Sequence, residues 1–167
     1  TVEETTGKIT AVKKGKTAVT VTDKKSGETT SADVYVLGEE DVTFPQIETQ
    51  NYSTVTLKSN GEIWSYGYNG YGQLGNGTTS GTTLQKQQVK SPDGTGVLEN
   101  IVSVAAGDSY SVALDKNGNV YTWGYNGYGN LGLGNTDYRT LPVKVDNLQG
   151  IIKIAAGNVS TFAIDNN

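Results

Sequence analysis

The sequence contains neither cysteine nor histidine, and only three of its 167 residues are proline. Without cysteine the chain forms no disulfide, binds no zinc through thiolates and has no thiol nucleophile. Without histidine it lacks the side chain that most often serves as a general base. We therefore expect no enzyme activity, no catalytic residue, no bound metal and no cofactor.

Charge is also scarce, with 18% charged residues and a net charge of −4. This balance argues against nucleic-acid partners, because binding to the phosphate backbone needs a basic surface. No run approaches the roughly 20 apolar residues of a membrane span, so we expect no membrane insertion. The chain starts at Thr1 with neither methionine nor a signal peptide, which predicts a processed or excised piece of a longer protein.

Glycine, threonine, valine and tyrosine are abundant, and Asn-Gly pairs are frequent. This profile is typical of an all-β protein with many tight turns. Two stretches, residues 60–75 and 117–132, match closely at an offset of 57 positions. A second matching pair, residues 104–107 and 154–157, has an offset of 50. The chain therefore contains internal repeats, and the first unit carries seven extra residues.

The extra residues lie between Gly77 and Gly107. We predict that they form an exposed loop within residues 78–100, because insertions in repeats usually map to loops. Four residues there are expected to interrupt any strand, namely Gly81, Pro92, Gly94 and Gly96.

Each unit is predicted to form four short strands. In the second unit a hairpin turn at residues 115–118 contains Asn-Gly, which tolerates the positive φ angles of tight turns. The last strand contains a proline, which suits a sheet edge because proline has no N–H to donate. The predicted strands are residues 101–106, 109–114, 119–123 and 142–145. Four strands in about 50 residues is typical of a propeller blade.

Residues 44–167 resemble the repeat of the regulator of chromosome condensation family. The residues that carry the resemblance are Ala105-Ala106-Gly107, Ala113-Leu114, Asn117-Gly118, Trp123-Gly124, Asn126, Leu131-Gly132 and Pro142-Val143. Asn130 replaces the usual glutamine, which Gln73 keeps, and Tyr110 stands where the family often has histidine. The resemblance implies a seven-bladed β-propeller, of which this chain supplies about two blades and a fragment of a third.

Residues 7–37 resemble the second half of a bacterial immunoglobulin-like domain of group 2. The resemblance is carried by residues 7–12, Gly15, residues 18–22 and residues 34–36. It implies that residues 1–37 are part of a β-sandwich, followed by a linker at 38–43 and by the repeats at 44–167. The strands predicted for this part are residues 8–12, 17–22 and 29–37, with turns at 13–16 and 23–28. Both ends of the chain are then expected to be truncated domains.

Two motifs resemble ligand-binding sites but lack features that those sites need. Residues 115–119 resemble the start of a calcium loop, but Asn126 stands where that loop needs a bidentate glutamate. The glycine-rich stretches 67–77 and 124–134 lack the Lys-Ser/Thr pair and the following helix of a phosphate loop. The 17 carboxylates fall mostly in predicted turns and linkers, and nothing points to a glycosidase pair.

Four tyrosines are the candidate ligand-binding residues, because they recur in the same loop of successive units. They are Tyr68, Tyr71, Tyr125 and Tyr128. Tyrosine offers a large amphipathic contact surface and is enriched at binding sites. The alternative is that these rings pack between neighbouring blades. An aromatic core between blades is predicted separately from Trp64, Tyr66, Tyr121 and Trp123.

The sequence favours an interaction module of a secreted or wall-attached bacterial protein, whose partner is a protein or a surface glycan. The alternative is a regulator of a small GTPase, of the nucleotide-exchange type, or a protein inhibitor of an enzyme, since the family includes both. Because blades are stabilised by their neighbours, further partners are the remaining blades of a parent protein or copies of this chain. Three copies of about 2.4 blades would close one ring.

Overall fold

The computed structural model describes residues 15–22, 26–27, 29–36 and 43–166. The chain divides into two compact units, residues 1–42 and 43–167. Throughout the described ranges every regular element is a β-strand, and none of them contains a helix that could span a membrane. The predicted all-β class is confirmed for these residues.

The first unit contains one described hairpin, formed by β1 (Gly15–Thr22) and β2 (Thr29–Val36) in antiparallel register. The strand predicted at 17–22 is confirmed, and the strand predicted at 29–37 is confirmed as far as Val36. The turn predicted at 13–16 is wrong at its end, because Gly15 pairs with Val36 and prolongs β1. The strand predicted at residues 8–12 and most of the predicted linker lie outside the described residues.

Two four-stranded antiparallel sheets dominate the second unit, and in both each strand pairs with the next along the chain. Sheet A consists of β3 (Gln46–Gln50), β4 (Ser53–Leu57), β5 (Ile63–Asn69) and β6 (Ser80–Gln88). Sheet B consists of β7 (Ile101–Gly107), β8 (Tyr110–Asp115), β9 (Val120–Gly124) and β10 (Arg139–Lys144). The predicted four-stranded units are confirmed.

A third sheet, hairpin C, pairs β11 (Ile151–Ala156) with β12 (Thr161–Asp165). These strands occupy the positions of β7 and β8 at the offset of 50 residues.

The hairpin turn after β8 is closed by the Asp115 carboxylate. This group accepts hydrogen bonds from the backbone amides of Asn117 and Asn119, at 2.8 and 2.9 Å, and from Asn119 Nδ2 at 2.8 Å. Gly118 supplies the positive φ of +79° that the turn requires. The carboxylate thus stabilises the turn, as expected for a hairpin.

The seven extra residues of sheet A are divided between two places. Gly81 is the unpaired residue of a bulge in β6, because Ser80 and Thr82 pair with adjacent residues of β5. The prediction that Gly81 interrupts the strand is therefore wrong: the strand absorbs it as a bulge. The other six lie between β6 and β7. Twelve residues connect these strands, whereas six residues connect β10 and β11.

The connection between β6 and β7 is a small hairpin with an accessible tip. Lys90 and Val97 form a bridge, and residues 91–96 are exposed or half-buried. At its base Val89 and Leu98 are buried and join the core, so the predicted exposed loop is confirmed only for its tip.

Two hydrophobic clusters form the core of the second unit. The first combines residues of sheets A and B, namely Val55, Leu57, Ile63, Val89, Leu98, Ile101, Val104, Ala113 and Trp123. The second combines residues of sheet B and hairpin C, namely Ala105, Tyr110, Val112, Leu114, Val120, Leu131, Val145, Ile151 and Ile154. The three sheets therefore pack face to face in chain order, and sheet B is covered on both sides.

The predicted aromatic core is confirmed for sheet B and wrong for sheet A. Trp123 is fully buried between the sheets, and Tyr121 packs against the same cluster. Trp64 and Tyr66 lie outside both clusters. Lys58 Nζ instead lies 4.6 Å from the centroid of the Trp64 ring. The difference arises because sheet B covers only one face of sheet A.

Candidate functional site

The glycine-rich loops that follow β5 and β9 start at a close approach between two strands. Gly124 has a φ of +103°, and a Cβ at this position would lie 2.6 Å from the carbonyl oxygen of Ser109. The next amide, that of Tyr125, donates a hydrogen bond to this carbonyl at 2.9 Å. Gly67 repeats the geometry against Tyr52 in sheet A. Glycine is needed at both positions to direct the loop.

A buried asparagine holds each loop from within. Asn126 Oδ1 accepts a hydrogen bond from the Leu131 amide at 2.9 Å, and Asn126 Nδ2 donates to the carbonyls of Asn135 and Asp137. Asn69 makes the corresponding bonds in sheet A, and both side chains are fully buried. Because the Asn126 amide satisfies three backbone groups and the Asn69 amide satisfies two, each loop has a defined shape.

A leucine fixes the second half of each loop. Leu74 and Leu131 are buried in the core. Their carbonyls accept hydrogen bonds from the hydroxyls of Ser65 and Thr122, at 2.7 and 2.9 Å. Apolar burial and a buried hydrogen bond thus anchor the same residue in both sheets.

Neighbouring loops are joined by hydrogen bonds between sheets. Trp123 Nε1 and Ser111 Oγ of sheet B donate to the carbonyl of Gln73 in sheet A, at 2.9 and 3.2 Å. Thr161 Oγ1 of hairpin C donates to the carbonyl of Asn130 in sheet B at 2.7 Å. The same bond therefore recurs at both junctions and places successive loops side by side.

Five tyrosines from these loops form one continuous cluster, which we call the tyrosine surface. Tyr71 of sheet A lies 5.0 Å from Tyr125 and 5.2 Å from Tyr138 of sheet B, measured between ring centroids. Tyr68 lies 6.1 Å from Tyr71, and Tyr128 lies 5.9 Å from Tyr125. Four of the five contacts are edge-to-face, an arrangement that aromatic pairs favour.

The tyrosine surface is packed underneath and accessible above. Tyr128 is 71% exposed and Tyr138 is 48% exposed, while the other three rings are half-buried. Burial raises the pKa of the Tyr125 phenol, and the nearby phenols and the Asp108 carboxylate raise it further. Because the ordinary tyrosine pKa is already about 10, this phenol is neutral at physiological pH and can donate a hydrogen bond.

Three charged residues border the tyrosine surface. Asp108 lies in the turn between β7 and β8, next to Tyr125, and Asp137 and Arg139 flank Tyr138. Arg139 is held by hydrogen bonds to the Tyr138 carbonyl and to Asn135 Oδ1, at 3.1 and 3.3 Å. It also lies 3.7 Å from the Asp137 carboxylate. The border is therefore acidic on balance.

The structure brings together all four tyrosines that the repeat pattern singled out. Rings from different sheets contact each other, as the packing alternative predicts, and Tyr128 remains exposed to solvent. Their role in ligand binding stays a prediction. Sequence reasoning missed Tyr138, Asp108 and Asp137, which lie outside the 57-residue repeat of aromatic positions. The position of Tyr138 immediately before the fourth strand was the available signal.

The opposite end of the sheets carries a shallow groove of about 210 Å³. It is lined by residues 60–62 and 97–100, which include the carboxylates of Glu62 and Glu99. Within the described part of the chain no three His, Cys, Asp or Glu side chains converge as metal ligands would.

Comparison with known proteins identifies the repeats. The family model of the regulator of chromosome condensation (RCC1) repeat matches residues 60–114 and 117–164. E3 ubiquitin-protein ligase HERC2 of Homo sapiens is 40% identical over 113 residues, which cover 66% of this chain and 2% of that protein. Protein RCC2 homolog of Danio rerio is 38% identical over 114 residues, or 67% of this chain and 22% of that protein. The chain thus spans a minor part of these relatives.

Solved structures share the fold. Prp20p of Saccharomyces cerevisiae, described with its binding to Gsp1p and histones, has a TM-score of 0.64 at 20% identity, over 84% of this chain and 35% of that one. Human WBSCR16 has a TM-score of 0.58 at 23% identity, over 70% of this chain and 30% of that one. Because the repeat match covers more than half of the residues, the chain belongs to the regulator of chromosome condensation (RCC1) repeat family.

Proposed function

We propose that the chain is a non-catalytic, protein-binding module that contacts its partner through the tyrosine surface. One observation carries the proposal: aromatic loops from neighbouring sheets, fixed by buried asparagines and inter-sheet hydrogen bonds, form one accessible cluster. Tyrosine provides large contact area at low entropy cost, and preorganised loops lose little freedom on binding.

Selection from a random-peptide library against the immobilised 167-residue chain tests this function. We expect enriched peptides to lose binding when Tyr128→Ser and Tyr138→Ser are combined. The matched control is Phe44→Ser, which removes an aromatic residue that is 75% exposed at the opposite end of the sheets. Peptides that bind the double variant as well as the parent would place recognition elsewhere, and binding only to a glycan array would favour a carbohydrate partner.

Regulation of a small GTPase is the second candidate function. Its support is the fold shared with Prp20p, a protein described with its binding to Gsp1p. Release of a fluorescent guanine nucleotide from Gsp1p, measured with and without the chain, separates this role from simple binding. Accelerated release favours exchange activity, whereas an unchanged rate favours the binding module.

We also propose that the parent protein is extracellular or attached to a bacterial cell wall, with residues 1–37 as part of an immunoglobulin-like spacer. The supports are the resemblance of residues 7–37 to such domains and the absence of cysteine. Antibody labelling of intact cells of the source organism tests the location. Labelling that requires permeabilised cells would contradict it.

A further inference from the structure

The geometry points to a basic, extended protein segment as the occupant of the tyrosine surface. We infer that its arginine or lysine side chains lie on the tyrosine ring faces and pair with Asp108 and Asp137. This inference rests on the proposed function and specifies the chemistry of the partner.

Charge is distributed unevenly between the two ends of the sheets. The loops and turns at the tyrosine end comprise residues 50–53, 67–80, 107–110, 124–139 and 157–160. They contain no lysine, and Arg139 is the only one of the chain's 13 basic residues among them. The carboxylates there are those of Asp137 and of Asp108, which is half-buried and accepts hydrogen bonds from Asn51 Nδ2 and the Ser109 hydroxyl. A cationic partner is attracted to this end, and an anionic one is repelled.

Arg139, the one basic residue of these loops and turns, is already engaged. Arg139 donates to the Tyr138 carbonyl and to Asn135, so its guanidinium is directed along its own loop. It also forms an ion pair with Asp137 at 3.7 Å, although the Asp137 side chain remains 73% exposed to solvent. Asp137 can therefore accept a partner's cation beside Tyr138.

The tyrosine rings supply the second element of recognition. The face of an aromatic ring carries partial negative charge and attracts ammonium and guanidinium groups. The chain uses this interaction itself at its other end, where Lys58 lies over Trp64. Tyr128 and Tyr138 have the accessible area that a partner cation needs.

The spacing of the rings indicates an extended segment. Successive rings along the surface are 5.0 to 6.1 Å apart between centroids. Alternate side chains of an extended strand, which point to the same side, are about 6.6 Å apart. A segment with basic residues at every second position can therefore place each cation near a different ring.

A synthetic peptide of six Arg-Ser repeats is the probe, with surface plasmon resonance against the sparsely immobilised chain as the measurement. We expect specific binding that weakens with added salt. The affinity should fall about tenfold in the Tyr128→Ser, Tyr138→Ser variant. A comparable fall is expected in the Asp108→Asn, Asp137→Asn variant, which leaves the ring packing intact. Phe44→Ser should leave binding unchanged.

Peptides of different charge test whether binding requires the cations of the Arg-Ser peptide. Six Glu-Ser repeats, and six repeats with citrulline in place of arginine, should not bind detectably. Equal binding of the citrulline peptide, or unaltered binding in the aspartate variant, would overturn the inference. The random-peptide selection distinguishes a failure of this inference from a failure of the proposed function. If neutral peptides are selected and bind at the tyrosine surface, the inference about a basic partner fails but the proposed protein-binding function stands.

Discussion

At the scale of single residues, Asn126 shows how one side chain determines the shape of a functional loop. Its amide both donates and accepts, so it can bind carbonyls and an amide of the same loop at once. The Asn69 side chain has the same role 57 residues earlier. No apolar residue of similar size can satisfy the same backbone groups, so the loop requires a buried amide at this position.

Substitution Asn126→Ala should lower the free energy of unfolding by about 1–3 kcal/mol, because it leaves buried backbone groups without a partner. Urea unfolding measures the change. Thr136→Ala, at an exposed position of the same loop, is the matched control and should alter the free energy by less than about 0.5 kcal/mol. Equal effects of the two substitutions would contradict the role of Asn126.

The hydrogen bonds of the Asp93 carboxylate predict how the stabilisation that they provide depends on pH. This carboxylate accepts hydrogen bonds from the Ser91 hydroxyl and from the amide and hydroxyl of Thr95, which lower its pKa to about 2. Because this pKa lies below the ordinary 3.8, the stabilisation is present above about pH 4 and is lost as the pH falls towards 2. Carboxyl NMR titration should give the low pKa, and Asp93→Asn should remove the pH dependence of the Thr95 amide signal. An ordinary pKa for Asp93 would disprove these bonds.

At the scale of elements, burial depends on the neighbours of a strand more than on its sequence. Every residue of β8 is buried, because sheet A and hairpin C cover its two sides. The equivalent strands β4 and β12 keep half-buried or exposed positions. Sheet B therefore contributes residues to both hydrophobic clusters and connects them.

Trp123→Phe tests the contact between sheets A and B. The substitution keeps an aromatic ring but removes the hydrogen bond to the Gln73 carbonyl, so we expect the free energy of unfolding to fall by about 1 kcal/mol or more. Trp64→Phe is the control, because that ring is only half-buried and lies outside the clusters. Chemical denaturation followed by circular dichroism gives both values, and a larger effect at Trp64 would refute the assignment.

The repeat offsets predicted the strands and the tyrosine loops because both depend on local pattern. Asn-Gly turns and the glycine at the start of each loop are readable from sequence. The bulge at Gly81 was not predictable in this way, since a sheet can absorb an extra residue without ending a strand. Tyr138 was missed because its contacts with Tyr71 and Tyr125, and not the repeat pattern, bring it into the surface.

At the scale of the whole molecule, the outer faces of the second unit carry exposed apolar side chains. Ile47 and Leu84 are exposed in sheet A, and Phe162 and Ile164 are exposed in hairpin C. Apolar groups of this size normally pack against a neighbour in repeat proteins. The expected partners remain further blades of a parent protein or other copies of this chain.

The purified 167-residue chain should therefore associate with itself as its concentration rises. Light scattering coupled to size-exclusion chromatography gives the mass, and a trimer would favour ring closure by three copies. The combined substitutions Phe162→Ser and Ile164→Ser should weaken the association. A monodisperse, cooperatively melting monomer would show that two sheets and a hairpin are stable alone.

The binding site of a basic segment can be mapped directly on the chain. Backbone amide signals of the isotope-labelled chain are followed by NMR as the Arg-Ser peptide is added. We predict that the largest changes occur in residues 67–77, 107–110 and 124–139, which form and border the tyrosine surface. Changes confined to the groove at residues 60–62 and 97–100, where Glu62 and Glu99 also offer negative charge, would show that the tyrosine surface is not the binding site.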